Sequence, residues 1–133
     1  MAKRRAEPRW LSRVVVDAIH ADQLREHGGL PGVRDENVLE SALARPQQKW
    51  NYGVTDIAIL AAAYGFGFIK NHPYRDGNKR IGFIVMATFL AINGHELMAT
   101  DGEIVAEIVS VADGTSSEDE LAQWVRAHAD KRS

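Results

Sequence analysis

Between His72 and Arg80 the chain reads HPYRDGNKR. This short segment gathers an imidazole, a carboxylate, an amide, three cations and a glycine. An apolar run, Ile81 to Ile92, follows at once. The segment therefore reads as a loop feeding the first turn of a buried helix. A helix start presents unpaired backbone N–H groups and about half a positive charge, which suits an anion. Gly77 has no Cβ, so a phosphate can approach the backbone there. Asn78, Lys79 and Arg80 add donors and charge at the same helix start. Asp76 can hold a magnesium ion that bridges phosphates. Tyr74 can wedge the loop into the core with its ring. His72 can take a proton from an incoming hydroxyl, since imidazoles ordinarily titrate near neutrality. The chemistry implied is transfer of a phosphorus-containing group from a nucleotide to a protein or small-molecule hydroxyl.

Other phosphate signatures do not compete. Neither GxxxxGK[ST] nor GxGxxG occurs, and the GFG at Gly65–Gly67 falls inside a helical pattern. His27 and His95 lack zinc-ligand spacing to His72 and Asp76. A bland reading stands beside the chemical one. Asp-Gly forms turns, His-Pro is a common loop dipeptide, and Lys-Arg often faces water. Composition alone leaves the two readings level.

Six helices are expected to position the segment. Ser12 starts the first and Gly28 stops it. Asp35 caps a second, which Pro46 is expected to end. The stretch 47–53, QQKWNYG, reads as an exposed hairpin or loop. The third helix runs from about Asp56 to Asn71 and the fourth from Asn78 to Asn93. The third tolerates Gly65 and Gly67, each about 1 kcal/mol worse than Ala. Close approach of a neighbouring helix is the expected reason. Thr100 with Glu103, and Ser117 with Glu120, form capping boxes for the fifth and sixth. No strand-length alternation appears, so the class is all-α. Residues 1–11 read as a loose basic tail and 12–133 as a single domain.

Composition narrows the function. The chain has 133 residues, enough for one domain with its own core. It has no cysteine, which excludes disulfides, a thiol nucleophile and cysteine-ligated metals. Sixteen Lys and Arg against eighteen Asp and Glu leave a net charge of −2, which argues against direct nucleic-acid binding. The run Ile81 to Ile92 is too short to span a bilayer, which needs about 20 residues. The N-terminus lacks the apolar stretch of a signal peptide. No membrane association and a cytoplasmic location are expected.

The segment HPYRDGNKR closely resembles the signature of the Fic/Doc superfamily. His20, the stretch from Gly28 to Gln48, FLAINGHEL from Phe89 to Leu97 and ELAQWV from Glu120 to Val125 are similar to its death-on-curing (Doc) branch. The resemblance implies the all-α Fic/Doc fold, with the motif loop between two central helices and a short flap hairpin. It implies His72 as general base, Asp76 as magnesium ligand, and Gly77, Asn78, Lys79 and Arg80 as the phosphate site. Gln48, Lys49, Trp50, Asn51 and Tyr52 would fall in the flap, which docks an extended target segment. Doc toxins are protein kinases that phosphorylate a threonine of elongation factor Tu and stop translation. ATP and Mg2+ would be required. A cognate antitoxin, binding through its C-terminal segment, would be the partner.

Two positions separate the branches. Adenylylating Fic enzymes read HxFx(D/E)GNGRxxR. Here Lys79 replaces the second glycine and Phe83 the second arginine. A glycine leaves room for further phosphate, whereas lysine fills that volume and adds charge. The nucleotide would then bind with its γ-phosphate facing the target, which favours phosphorylation over AMP transfer. An adenylyltransferase and a non-catalytic binding module of the same fold are the alternatives. Self-inhibited Fic proteins carry (S/T)xxxE(G/N). The nearest match, SSEDEL from Ser116 to Leu121, lacks the last residue and reads as a helix cap. Inhibition is therefore expected from a separate chain.

Overall fold

Five of the six helices among the described residues begin where the sequence supplies a side-chain oxygen to the first turn. In the computed structural model, which describes residues 6–132, Ser12 caps α1 (Arg13–His27) and Asp35 caps α2 (Glu36–Asn51). Asp56 caps α3 (Ile57–Asn71), and the two capping boxes start α5 (Asp101–Asp113) and α6 (Glu118–His128). Each such cap satisfies an otherwise orphaned N–H and contributes about 1 kcal/mol. The sixth helix, α4 (Asn78–Ile92), starts at Gly77 with no side-chain cap. A short antiparallel pair, β1 (His95–Leu97) with β2 (Ala129–Lys131), ties the end of α6 to the chain after α4. Three-residue strands are too short to leave an alternating pattern, so the sequence reading missed them.

The core is organised around α3, which packs against α2, α4 and α6. It is buried almost all round, from Ala58 to Ile69. Two glycines let α4 come close. A Cβ on Gly82 would meet Ile69 Cγ1 at 2.7 Å and the Gly65 carbonyl oxygen at 3.0 Å. A Cβ on Gly65 would meet Met86 Sδ at 3.0 Å. On the other side of α3, a Cβ on Gly67 would lie 3.3 Å from Ala42 Cβ of α2. The expected close approach is present, and it fixes α3 and α4 as the two walls that carry the motif loop.

Two expectations need correction. Pro46 does not end α2, which continues through it to Asn51. A proline inside a helix costs about 3 kcal/mol. Trp50, one turn further on, is only 2 % exposed and packs edge-on to Trp10 at 6.5 Å. Burying an indole of roughly 200 Å2 contributes about 5 kcal/mol at 25 cal/mol/Å2, which outweighs the proline. The expected flap hairpin is therefore the last helical turn of α2, followed by a turn at Tyr52–Gly53 and three residues outside any helix or strand.

The second correction concerns residues 7–11 of the expected loose tail. Trp10 stacks on Phe89 at 5.8 Å, and Asn93 holds the Arg9 backbone from both sides. The Leu11 N–H donates to the Tyr64 hydroxyl at 3.1 Å. This strip closes one end of the core. Residues 1–5 lie outside the described residues. No helix among the described residues is long and apolar enough to cross a membrane.

Candidate active site

The motif loop runs from the end of α3 to the start of α4, and the sequence explains its shape. Pro73 stops α3, since it offers no N–H and clashes with a continuing helix. His72 takes the left-handed conformation, with φ at 49°. Gly77, with φ at 79°, turns the chain into α4. Between them Tyr74 is buried, as a wedge should be. Its ring stacks on His20 of α1, with centroids 3.8 Å apart and planes 13° apart. Its hydroxyl donates to Asp17 at 2.7 Å. Burial and that hydrogen bond to Asp17 push the phenol up, so Tyr74 stays a neutral donor. Asp17 in turn accepts from Arg13, which also pairs with Glu36 and Glu40 of α2. A chain of polar contacts thus pins the loop to α1 and α2.

Asn78 staples the same loop. Its Oδ1 accepts from the Tyr74 N–H at 3.0 Å, and its Nδ2 donates to the Tyr74 carbonyl at 2.9 Å. The Asn78 side chain therefore shapes the loop. What it offers a ligand at the helix start is its backbone N–H and one remaining amide hydrogen.

His20, buried at 5 % exposure, faces the Asp76 carbonyl with Nε2 at 3.0 Å. The carbonyl can only accept, so Nε2 carries the proton. The Asp76 carboxylate is held by two backbone donors, the Gly77 N–H at 2.9 Å and the Leu30 N–H at 3.2 Å. Gly29 must be a glycine for this contact. It has φ at 125°, and a Cβ there would lie 2.9 Å from Asp76 Oδ2. Gly29→Ala is expected to destabilise the fold by about 1–3 kcal/mol through backbone strain alone. A urea melt checks this, and an unchanged midpoint would mean that the loop has room to yield.

These elements line an open cleft of about 720 Å3. One side holds His72, Arg75 and Asp76 through Arg80, and the α1 residues Gln23 and His27. The other is apolar, built by Phe83 and Ile84 of α4 and Ile104, Val105, Ile108 and Val109 of α5. His72 is exposed, and neither ring nitrogen has a partner among the described residues. Lys79 and Arg80 are exposed, and no carboxylate pairs with them among the described residues. The uncapped N–H groups of α4 open beside them, with clear space over Gly77. Such a helix start, flanked by free cations, is a ready phosphate site.

The cleft thus brings together His72, Asp76, Gly77, Asn78, Lys79 and Arg80. It does not include the expected flap residues. Gln48, Lys49, Trp50 and Asn51 are helical, Lys49 pairs with Glu118 at 3.4 Å, Trp50 is buried, and Gln48, Asn51 and Tyr52 are exposed, Tyr52 at 90 %. The N–H groups of Tyr52, Gly53 and Val54 donate back to carbonyls of the last helical turn. Sequence reasoning missed Asp17 and Arg34 as loop supports. The one signal for the former was the buried Tyr74, whose hydroxyl needed a partner.

The profile of the Fic/DOC family matches residues 10–90. The chain belongs to the Fic/DOC family. Two curated relatives lie in its Doc branch. "Protein kinase doc" of Escherichia phage P1 is 29 % identical over 119 residues, which cover 89 % of this chain and 94 % of that protein. "Toxin Doc" of Mycolicibacterium smegmatis is 44 % identical over 75 residues, which cover 54 % of this chain and 57 % of that protein. Among solved structures, the BepC effector protein of Bartonella tribocorum with bound AMPPNP superposes with a TM-score of 0.54 at 18 % identity. The match covers 74 % of this chain but about half of BepC, at 49 %, and establishes the shared fold. The six-helix Fic/DOC core with its loop between α3 and α4 agrees with the sequence expectation.

Proposed function

We propose that this chain is a Doc-type toxin that acts as a protein kinase, moving the γ-phosphate of ATP to a protein hydroxyl. The observation that carries the proposal is the uncapped start of α4, with unpaired Lys79 and Arg80 beside a free His72. The relatives named as a Doc toxin and a Doc protein kinase support the same reading. The target would be a threonine of a translation factor, with elongation factor Tu the first candidate. The setting would be the cytoplasm, with a cognate antitoxin as partner.

Phosphoryl transfer needs positioning and charge stabilisation more than covalent help. The backbone N–H groups at the start of α4 and the Lys79 and Arg80 side chains would hold the phosphates and offset their charge. The apolar wall of α5 would face the rest of the nucleotide. His72 would accept the proton of the target hydroxyl as its oxygen bonds to the γ-phosphorus. The bond from that phosphorus to ADP would break, and ADP would leave. Mg2+ suits a site with one carboxylate plus substrate phosphates. Asp76 fits: its carboxylate is pre-set by two backbone donors and lines the phosphate end of the cleft. When bound, the ion would neutralise phosphate charge there.

The test is paired transfer in a translation extract, with ATP labelled at the γ- or the α-phosphate. Label on protein from γ alone is the expected result. Label from α alone would replace the proposal with AMP transfer. No label from either would favour a binding module of the same fold.

A further inference from the structure

Among the described residues, His72 alone holds a positive φ without being a glycine. It is also the residue on which the proposed chemistry turns. A side chain in the left-handed region is strained, so something must hold it there. Helices that end on such a residue usually close by a hydrogen bond from the N–H of the following residue back to the last turn. Here the following residue is Pro73, which has no N–H. The carbonyls at the end of α3 would be left without that partner.

Arg34 supplies it from outside the helix. Its Nε donates to the His72 carbonyl at 2.5 Å, and its Nη2 donates to the Asn71 carbonyl at 2.7 Å. The backbone N–H groups of Arg34 and Asp35 both donate to the next carbonyl, that of Pro73, at 2.8 and 3.2 Å. Three successive carbonyls are thus fixed by one short segment. A guanidinium suits this role because its donors form a rigid fork, and its charge complements the negative end of α3. Arg34 itself is exposed and outside the core.

We infer that Arg34 is a positioning residue that holds His72 in its left-handed conformation, and so aims the imidazole into the cleft. Its importance for activity rests on the function proposed above; its hold on His72 does not. The substitution Arg34→Met keeps the stem and removes the donors. Arg34→Lys keeps the charge but lacks the rigid planar fork that meets the two carbonyls.

The first readout is the backbone carbon chemical shifts of His72 in the free protein, with the core resonances of Tyr64 and Phe89 as a control for folding. In Arg34→Met the His72 shifts are expected to leave the left-handed range while the core signals stay. The second readout is transfer kinetics. Loss of aim is expected to lower kcat roughly 10- to 100-fold, while KM for ATP stays within about threefold, since the start of α4 is untouched. Arg34→Lys is expected to fall between. If the Met variant does not fold, the Lys variant carries both readouts. A His72 that keeps its left-handed shifts without the guanidinium overturns the inference, whatever the activity. If wild type shows no transfer at all, the proposed function fails and the shifts alone decide the role of Arg34.

Discussion

Alanine at His72 is expected to abolish transfer, lowering the rate by about 10²- to 10⁴-fold, the usual contribution of a positioned general base. The side chain is exposed, ends α3, and has no partner among the described residues whose loss would unsettle the fold. Stability should therefore change little. Nucleotide affinity should change little, because the phosphates would meet α4 and its cations rather than the imidazole. Initial rates with γ-labelled ATP, beside equilibrium binding of a non-hydrolysable analogue, check both halves. A variant that binds nucleotide normally and transfers at the wild-type rate would remove His72 from the mechanism.

The largest effect on stability is expected at Gly82. Valine there would place a Cβ 2.7 Å from Ile69 and 3.0 Å from the Gly65 carbonyl oxygen, then add two methyl groups. Ile69 is fully buried, and the carbonyl belongs to the backbone of α3. Neither can move without separating the two central helices. Overpacking of this kind costs about 3 kcal/mol, the upper end of its usual range. Against a total stability of about 5–15 kcal/mol that is a severe loss. Thermal melting should fall by about 10 °C. Gly102→Ala is the control of opposite sign. A Cβ there meets nothing within 4 Å, so α5 gains helix propensity of up to about 1 kcal/mol. Equal melting points for the two variants would show that the α3–α4 seam is looser than its geometry indicates.

What the sequence made legible was local. Ser12, Asp35, Thr100 and Ser117 announce helix starts because a cap acts within three residues of itself. The motif loop was legible for the same reason, since its chemistry lies within nine consecutive positions. The pair Gly65 and Gly67 posed a packing question that could be read, but its partners Gly82 and Ala42 could not be named. Contacts across the fold were hidden. Pro46 looked like an end because nothing nearby shows that Trp50 would be buried against Trp10. The support of the loop by Asp17, His20 and Arg34 depends on residues 38 to 57 positions away. The three-residue strands lie below the length at which alternation can be seen.

The motif loop is the turn of a hairpin between two adjacent helices. Only six residues, 72–77, separate α3 from α4. Closing so short a loop costs little chain entropy, and contacts of short sequence separation favour rapid assembly. The helices it joins meet along a glycine seam that admits one register. The stretch that would carry the chemistry is thus also one that the chain can form with little search. The segments that lock it, from α1 and residues 28–35, precede it in sequence, so a chain emerging from its N-terminus has them in hand before the loop is made.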